Sequence, residues 1–385
     1  MKIWFSVSSF PVLSQTFVTT QVLYALRQGH EVTVACKSHA PQTLLAPETR
    51  ALLEQVRIVI WPGPQPAWLR FMPTRLADRI TARLHRDHWR RVCDADLVIA
   101  HFGYRGAATA RAQIGWEGCP PLVTIFHGRD VSVEYRRNRM ARYAPLFADG
   151  DLHLPVNARF AELLTECGAP PDRVAPHHLG IPVGRYSFIP PQRHTPLTLL
   201  SISRLVDKKG LHIAISALTL LQEAHPDLDW RYEVGGDGPL ANELALQAAR
   251  AGLENRISFI GALSHEETLA RIAAADALLV PSVTAEDGDQ EGIPVTLMEA
   301  MALGTPVCTT RHSGIPELVT HDESGLLSDE HDAAGLCANI LSLAHDDSKA
   351  TALATAARHK VEDSFNEDTQ NALLFERCLA LVTAR

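Results

Sequence analysis

Two glutamates near the start of a predicted helix are the first candidates for chemistry. Glu291 directly precedes a Gly-Ile-Pro turn, and Glu299 follows Pro294 by five residues, about 7.5 Å along a helix axis. A proline suits the first helical turn, because no hydrogen-bond donor is lost there. The N–H groups and the dipole at such a helix start favour a phosphate, and flanking carboxylates can accept hydrogen bonds from sugar hydroxyls. A helix with an acidic N-terminus and one solvated glutamate is the alternative.

A basic turn follows the predicted strand 197–203. Arg204 and Lys209 lie five residues apart around this turn, so their side chains can converge on one diphosphate. Arginine offers a bidentate fork and lysine a mobile point charge, and both can neutralise charge that develops on a leaving group. We expect Lys208 to be a solvated neighbour. An ordinary basic turn is the alternative.

Two further loops of the second half carry weaker signals. Glycines in Gly235-Gly236-Asp237-Gly238-Pro239 would let a ligand approach the backbone, and a simple tight connection explains them equally well. The acidic stretch 286–289 can supply oxygen ligands to a divalent cation. We favour a solvated acidic loop there and predict no metal site.

Histidines stand at the ends of two predicted strands in the first half. His127, in Ile-Phe-His-Gly, is placed to hydrogen-bond a sugar or an acceptor hydroxyl. We interpret His101 as structural because the chain has 18 histidines, and we interpret His177 and His178 in the same way. The first loop, 8–16, has no glycine and so lacks the G-x-G-x-x-G of dinucleotide-binding enzymes, which counts against an NAD-dependent oxidoreductase.

Short apolar runs alternate with helical patterns along nearly the whole chain, which is typical of βαβ units and parallel sheets. The first series of predicted strands is 2–7, 31–36, 57–61, 96–101, 121–126, 151–155 and 174–179. After a proline-rich break, the second series is 197–203, 229–235, 256–260, 277–281, 305–309 and 325–327. The predicted fold is therefore α/β, with two doubly wound Rossmann-like domains that face each other across a cleft. Ligands of such folds bind beyond the carboxyl ends of the strands.

The length of 385 residues suits two domains, and 46% hydrophobic residues suffice for two cores, which excludes disorder. The predicted domains are 1–188 and 189–367, and 368–385 is predicted to be a helix that packs back toward the first domain. Residues 1–190 carry 22 Lys and Arg against 15 Asp and Glu, while the remainder carries 14 against 29. This asymmetry indicates that only the first half faces an anionic partner.

Redox and targeting signals favour a cytoplasmic protein. The seven cysteines are an odd number, and none are spaced as a zinc knuckle or a CxxC motif, so reduced thiols are expected. No apolar run approaches the ~20 residues of a membrane helix. The N-terminal stretch has a proline in its apolar part and no small-residue cleavage site, so we interpret it as a buried strand rather than a signal peptide.

An arginine-rich stretch with apolar neighbours lies at 68–91. Its apolar side chains are Trp68, Leu69, Phe71, Met72 and Trp89. Arg75, Arg79 and Arg83 recur every four residues and so share one helical face. Basic residues beside aromatic anchors can dock on an anionic membrane surface, and a solvated arginine-rich helix is the alternative. Nucleic acid is a poorer match, because the net charge is -8 and no nucleic-acid motif is present.

Together these motifs resemble the retaining glycosyltransferases of family four, which have the GT-B fold. The resemblance covers nearly the whole chain and rests on Glu291-x7-Glu299, Arg204 with Lys209-Gly210, Gly236-Asp237-Gly238-Pro239 and His127-Gly128. Phe10-Pro11-x-x-Ser14-Gln15-Thr16-Phe17, Ala100-His101-Phe102-Gly103 and Gly288-Asp289-x-Glu291-Gly292-Ile293-Pro294 resemble the colanic acid and amylovoran branch of exopolysaccharide enzymes. Gln15 departs from the glutamate expected in that branch.

The resemblance implies a role for the matched residues. Arg204 and Lys209 would hold the donor diphosphate, and Glu299 would bind the nucleotide ribose. Glu291 would contact the hydroxyls of the donor sugar, and His127 would touch this sugar from the first domain. The other predicted substrate-binding residues are Gly292, Ile293, Pro294, Val295, Gly236, Asp237, Gly238, Asp130 and Ser14. The resemblance implies that no metal and no other cofactor are required.

The implied activity is transfer of a hexose from a nucleotide sugar, with UDP-hexose favoured, to a lipid-linked exopolysaccharide precursor. The anomeric configuration would be retained, because the acceptor hydroxyl attacks the face that the nucleotide leaves. The first domain would bind the acceptor, and the enzyme is expected on the inner face of the cytoplasmic membrane as a peripheral protein. Two alternatives stay open: a UDP-sugar 2-epimerase of the same fold, and a non-catalytic sugar-nucleotide-binding protein.

Overall fold

A computed structural model describes residues 1–12, 15–40, 47–63 and 66–384, without the side chains of residues 47, 48 and 75. Ser14 and the Arg75 side chain, which the sequence predictions include, lie outside this description. The chain divides into two units, Met1–His178 with Asn371–Arg385, and Leu179–Gln370.

The boundary between the two units lies between His178 and Leu179, before the proline-rich break. The sequence predicts it later, between residues 188 and 189. The reason lies in backbone hydrogen bonds of the segment before the break. The N–H of Ile181 donates to the Phe365 carbonyl at 2.9 Å, and the N–H of Ile189 donates to the Leu303 carbonyl at 2.9 Å. This segment therefore belongs to the second unit.

The first unit contains a six-stranded parallel sheet with the order β5-β3-β1-β6-β7-β8. Its strands are β1 Lys2–Ser6, β3 Glu31–Cys36, β5 Arg57–Ile60, β6 Leu97–His101, β7 Leu122–Phe126 and β8 Leu152–Pro155. A short separate pair consists of β2 Ser9–Phe10 and β4 Ser38–His39. The helices are α1 Thr16–Arg27, α2 Pro47–Leu53, α3 Thr74–Val92, α4 Gly103–Gln113, α5 Ser132–Arg136, α6 Ala144–Asp149 and α7 Ala158–Glu166.

The second unit contains another six-stranded parallel sheet, with the order β11-β10-β9-β12-β13-β14. Its strands are β9 Leu197–Ile202, β10 Trp230–Gly235, β11 Ile257–Gly261, β12 Ala277–Val280, β13 Val307–Thr310 and β14 Leu326–Ser328. The helices are α8 Leu211–Ala224, α9 Ala241–Arg250, α10 His265–Ala273, α11 Val295–Leu303, α12 Ile315–Leu318, α13 Ala333–His345 and α14 Asp347–Ser364. A last helix, α15 Glu367–Thr383, begins in the second unit, and its residues from Asn371 onward belong to the first.

Both sheets have the strand order of a doubly wound Rossmann-type fold, and the predicted fold class is confirmed. The order reverses between β1 and β6 in the first unit and between β9 and β12 in the second. Ligands of open α/β sheets bind at the carboxyl ends of the strands at this reversal. The loops after β9 and β12 are therefore the expected ligand-binding loops of the second unit.

One predicted strand of the first series is wrong. Residues 174–179 form no sheet strand, and Val174 makes only an isolated bridge to His153. Pro176 interrupts this segment, and a proline cannot donate a ladder hydrogen bond. Apolar character alone does not distinguish such an extended segment from a paired strand.

The arginine-rich stretch folds as a short 3-10 turn, Ala67–Phe71, followed by α3. Phe71 is 78% exposed and Trp68 is 52% exposed. The predicted membrane-facing stretch includes Trp89, which would have to be exposed to act as an anchor. Trp89 is instead buried, and its ring centroid lies 5.4 Å from that of Trp4 and 4.4 Å from that of Trp61. Among the described residues, no helix is long and apolar enough to cross a membrane.

Candidate active site

Glu291 lies in the loop between β12 and α11, with its side chain nearly buried against two lysines. One carboxylate oxygen, Oε1, lies 3.2 Å from Nζ of Lys208 and 3.2 Å from Nζ of Lys209. Burial by itself raises the pKa of Glu291, but the charges and hydrogen bonds of Lys209 and Lys208 lower it to about 2. Glu291 is therefore a carboxylate at neutral pH, and it joins the loop after β12 to the turn after β9.

Lys208 is not the solvated neighbour that the sequence predicts. Its side chain is 12% exposed, and Nζ also lies 3.2 Å from Oδ1 of Asp289. Asp289 is itself buried, so the acidic stretch 286–289 is not a freely solvated loop either. Two carboxylates attract this lysine into a position that a lone lysine would avoid, since burying an unpaired charge is unfavourable. In the described part of the chain, no three His, Cys, Asp or Glu side chains cluster as metal ligands would.

Helix α11 starts at Val295, directly after the Gly-Ile-Pro turn, as the sequence predicts. Pro294 occupies the N-cap position and has an extended backbone. No described side chain caps this end, so the first backbone N–H groups of α11 have no side-chain acceptor. Gly292, Ile293, Pro294 and Val295 thus lie beside the ionised Glu291, at a helix start that is suited to an anion.

Glu299 lies within α11 and is buried, in contrast to a solvated glutamate. The hydroxyl of Tyr186 donates a hydrogen bond to it, and Nδ1 of His265 lies 3.8 Å from its Oε1. Burial raises the pKa of Glu299 to about 7, against the opposing effect of the Tyr186 hydrogen bond. The side chain is therefore close to half protonated at neutral pH.

Arg204 follows β9 and has an exposed side chain. The neighbouring glycine turn packs against its backbone: Leu205 N–H donates to the Asp237 carbonyl at 2.9 Å. A Cβ on Gly236, whose φ is +126°, would lie 1.8 Å from the Ser203 carbonyl oxygen. Close packing of two loops thus explains Gly236, and a Cβ on Gly238 would likewise lie 2.4 Å from the Leu205 carbonyl oxygen.

His127 lies in the first unit within a cluster of aromatic rings. Its Nε2 is 3.0 Å from Nδ1 of His101, and its ring centroid is 4.3 Å from that of Phe17 and 4.6 Å from that of Phe102. Burial, with the nearby His101 and His177, holds the pKa of His127 well below its ordinary value. The pKa of His101 is lowered to about 3, first by burial and then by His177. Both rings are therefore uncharged. The buried ring of His101 contacts the ring of His127 through the two nitrogens 3.0 Å apart.

Asp130 has its two carboxylate oxygens engaged by backbone groups. Oδ1 accepts from the N–H groups of His127 at 3.0 Å and Gly128 at 2.9 Å, and Oδ2 accepts from the N–H of Gly103 at 2.8 Å. These contacts hold the turn after β7 against the start of α4. The structure thus gives Asp130 a structural role, and its contact with substrate stays a prediction.

Comparison with known proteins decides the family. The Glycosyltransferase Family 4 model matches residues 14–185, and the model of glycosyl transferases group 1 matches 184–360. The putative colanic acid biosynthesis glycosyltransferase WcaL of Escherichia coli is 35% identical over 99% of this chain and 100% of WcaL. The chain is a family-four glycosyltransferase. AmsK, the amylovoran biosynthesis glycosyltransferase of Erwinia amylovora, is 32% identical over 95% of this glycosyltransferase and 96% of AmsK, so the resemblance to that branch is confirmed.

Solved structures confirm the GT-B fold of this glycosyltransferase. HepE of Anabaena, solved in complex with UDP, superposes with a TM-score of 0.77 at 20% identity and covers 99% of this chain and 100% of its own. The lipopolysaccharide outer core galactosyltransferase WaaB gives a TM-score of 0.75 at 16% identity, covering 98% and 100%. At such identities the likeness concerns the fold alone.

Sequence reasoning misses several residues that contact the candidate site residues. Lys208 sits next to Lys209 in the same turn, so the doublet itself could have signalled it. Tyr186 and His312 contact Glu299 and Glu291 from distant parts of the chain. No local pattern marks these two residues, because only the fold brings them to the glutamates.

Proposed function

We propose that this glycosyltransferase transfers a hexose from UDP-hexose to a lipid-linked oligosaccharide during exopolysaccharide assembly. The ionised Glu291, placed beside Lys209 and the start of α11, is the observation that carries this proposal. A carboxylate of this kind accepts hydrogen bonds from sugar hydroxyls, while the helix start and the lysine favour a phosphate. The names of WcaL and AmsK support exopolysaccharide assembly, and HepE, solved with UDP-glucose, supports a UDP-sugar donor.

In this proposal, each candidate residue has a separate task. Lys209 and Arg204 neutralise the diphosphate, and Glu299 accepts hydrogen bonds from the ribose. Glu291 orients the sugar through its hydroxyls, and uncharged His127 hydrogen-bonds the sugar from the first unit. Gly292, Ile293, Pro294 and Val295 present their backbone to sugar and phosphate, with Gly236, Asp237 and Gly238 nearby in the neighbouring turn.

The proposed reaction retains the anomeric configuration. The acceptor hydroxyl oxygen forms the new bond to C1 while the bond from C1 to the β-phosphate oxygen breaks on the same face. The proton of the acceptor hydroxyl passes to the departing diphosphate. Charge therefore develops on that diphosphate, where Lys209 and Arg204 stabilise it. No protein nucleophile and no metal take part.

Product analysis tests this proposal against its two alternatives. Purified protein is incubated with UDP-glucose or UDP-galactose and a lipid extract from an exopolysaccharide-producing bacterium. We expect UDP release that depends on the extract, and an α-linked hexose in the lipid fraction from an α-linked donor. Release of UDP with a 2-epimerised free sugar in the absence of the extract would indicate the epimerase. Nucleotide binding without turnover on any acceptor would indicate a binding protein.

We further propose that the turn and helix at 67–92 dock on the anionic inner face of the cytoplasmic membrane. Phe71 and Trp68 are exposed apolar side chains, and the guanidinium of Arg70 lies over the Phe71 ring at 4.7 Å. A groove between α3 and α4 adds further positive charge next to apolar walls. It is lined by the arginines Arg79, Arg83, Arg86 and Arg111 and by Trp61 and Ile114. Such a surface suits lipid phosphates above an apolar phase.

Vesicle sedimentation tests the membrane proposal. Replacing Trp68 and Phe71 together by serine should weaken binding to phosphatidylglycerol vesicles several-fold, because apolar anchors are lost. Leu246, which is 57% exposed in the second unit, provides the matched control as Leu246→Ser. Equal binding of both variants would contradict docking through this stretch.

A further inference from the structure

His312 is a fully buried histidine whose ring joins two acidic residues of the second unit. It follows β13, and its Nδ1 lies 2.6 Å from Oε1 of Glu330. Its Nε2 accepts a hydrogen bond from the backbone N–H of Glu291 at 3.0 Å. His312 thus contacts the main chain of Glu291, whereas the lysines contact its carboxylate.

The hydrogen-bond directions fix the tautomer of His312. Because the N–H of Glu291 is a donor, Nε2 carries no hydrogen and accepts. The ring hydrogen is therefore on Nδ1 and is donated to the Glu330 carboxylate. Glu330 is the group that orients the ring, in the way that a carboxylate orients the histidine of a catalytic or metal site.

Glu330 also holds a second point of the loop between β12 and α11. Its Oε2 accepts from the N–H of Thr284 at 2.7 Å, and its Oε1 lies 3.3 Å from Oγ1 of Thr284. Thr284 lies four residues after the end of β12, in the loop that also contains Glu291. Gln290 adds a hydrogen bond from its Nε2 to Oγ1 of Thr284 at 3.2 Å. Glu330 and His312 therefore connect two points of this loop, Thr284 and Glu291, to the segments that follow β14 and β13.

We propose that His312, oriented by Glu330, is a positioning residue that fixes the main chain of Glu291 for contact with the donor sugar. This inference rests on the proposed function, in which Glu291 meets the sugar hydroxyls. His312 touches no reacting atom. The flexible lysines can follow the carboxylate, but only a contact to the main chain sets the point from which the Glu291 side chain extends.

Two conservative replacements separate the two hydrogen bonds of His312. In His312→Gln the side-chain amide reaches the position of Nε2 and can still accept from Glu291. In His312→Asn the shorter amide reaches the position of Nδ1 and can only serve Glu330. Glu330→Gln is the companion variant, because it keeps the volume but no longer fixes the ring by a charged hydrogen bond.

We expect His312→Asn to lower kcat/KM for UDP-hexose about 10-fold or more, because the Glu291 N–H loses the acceptor that fixes its main chain. His312→Gln should stay within a few-fold of wild type. The Kd of UDP alone should be nearly unchanged in both variants, since UDP lacks the sugar that Glu291 contacts. A merely structural role would weaken UDP and UDP-hexose equally, and the glutamine variant would give no rescue.

Amide hydrogen exchange of the peptide that contains 289–293 is the second measurement, and it requires no activity. Exchange there should be faster in His312→Asn than in wild type and near wild type in His312→Gln. Unchanged exchange in His312→Asn, or wild-type kcat/KM in that variant, would overturn the inference.

Glu291→Gln distinguishes failure of this inference from failure of the proposed function. If Glu291→Gln loses transfer but His312→Asn keeps it, the positioning role is wrong and the function stands. If wild type transfers no sugar, the proposed function fails. If Glu291→Gln retains wild-type transfer, the function stands and the contact of Glu291 with the sugar is wrong. Hydrogen exchange then still decides whether His312 fixes the Glu291 main chain.

Discussion

The loop before α11 and the middle of α11 each carry a nearly buried glutamate, and the two differ sharply in charge. The Glu291 side chain is 12% exposed, and two lysine ammonium groups lie 3.2 Å away. The Glu299 side chain is 7% exposed, and its neighbours are the Tyr186 hydroxyl and His265. The pKa of Glu291 is lowered to about 2 against the effect of burial, whereas burial raises the pKa of Glu299 to about 7.

Burial is similar in the two places, so the neighbours decide the charge. Lysines convert Glu291 into a permanent carboxylate that accepts hydrogen bonds without first losing a proton. Among the described residues, no lysine forms an ion pair with Glu299, and hydrogen bonds from ribose hydroxyls would favour its ionised form. Nucleotide binding should therefore release a proton at Glu299, while sugar binding at Glu291 should not.

The largest effect should come from removing Lys209, which contacts Glu291 and is proposed to bind the diphosphate. Lys209→Ala should lower kcat/KM for sugar transfer about 100-fold or more, because one stabilising cation of the leaving group is lost. The fold should stay intact, as judged by circular dichroism. Near wild-type turnover in Lys209→Ala would show that the leaving group does not depend on this cation.

The free energy of unfolding, measured at several pH values, should show that the pKa of Glu299 is raised, in contrast to that of Glu291. Its folded pKa of about 7 lies above the ordinary 4.5, so its contribution to stability is fully present below pH 4.5 and is lost as pH rises through 7. Relative to Glu299→Gln, wild type should lose roughly 3 kcal/mol of unfolding free energy between pH 4.5 and pH 8. Urea unfolding at several pH values measures this. A constant difference between the two proteins would contradict the raised pKa.

Lys208 tests whether one lysine is enough to keep Glu291 ionised and in place. Lys208→Met removes the partner of both Asp289 and Glu291, so the pKa of Glu291 should rise and kcat/KM should fall about 10-fold. Lys208→Arg should recover part of the loss because it restores the charge. Lys37→Met, which removes an exposed lysine of the first unit, is the control. Equal activity of the two methionine variants would mean that Lys208 is dispensable.

The smallest effect is expected at Tyr186. Its hydrogen bond lowers the pKa of Glu299, so Tyr186→Phe should raise that pKa further. Comparing Tyr186→Phe with the double variant Tyr186→Phe/Glu299→Gln gives the pH at which Glu299 stops stabilising the fold. This pH should be higher than the one found by comparing wild type with Glu299→Gln. UDP affinity near neutral pH should weaken only a few-fold. A downward shift of that pH would mean that Tyr186 does not stabilise the ionised form.

Local patterns in the sequence were sufficient for much of the fold and for part of the site. The alternation of apolar runs with helical patterns predicts both parallel sheets, and the Gly-Ile-Pro turn predicts the start of α11 beside Glu291. Lys209 is predictable because it lies in a basic turn directly after the predicted strand 197–203, and ligands of such folds bind beyond the carboxyl ends of the strands. These features depend on residues that are near each other in the chain.

Features that depend on distant contacts were not predictable. Lys208 is buried only because Asp289 and Glu291, from another loop, lie against it. Trp89 is of a residue type that often anchors proteins in membranes, but its ring packs against Trp4 and Trp61. Likewise, nothing in the residues around His312 indicates that its ring accepts from the N–H of Glu291.

Thermal unfolding with UDP, GDP, ADP or NAD tests most directly whether the site formed by Lys208, Lys209 and Glu291 binds a nucleoside diphosphate sugar donor. A ligand at about 100 times its Kd adds roughly 2.7 kcal/mol, which raises Tm by several degrees. We predict that UDP selectively raises the Tm of wild type and has much less effect on Lys209→Ala. Stabilisation by NAD alone, or equal stabilisation of both proteins by UDP, would contradict a diphosphate site at Lys209.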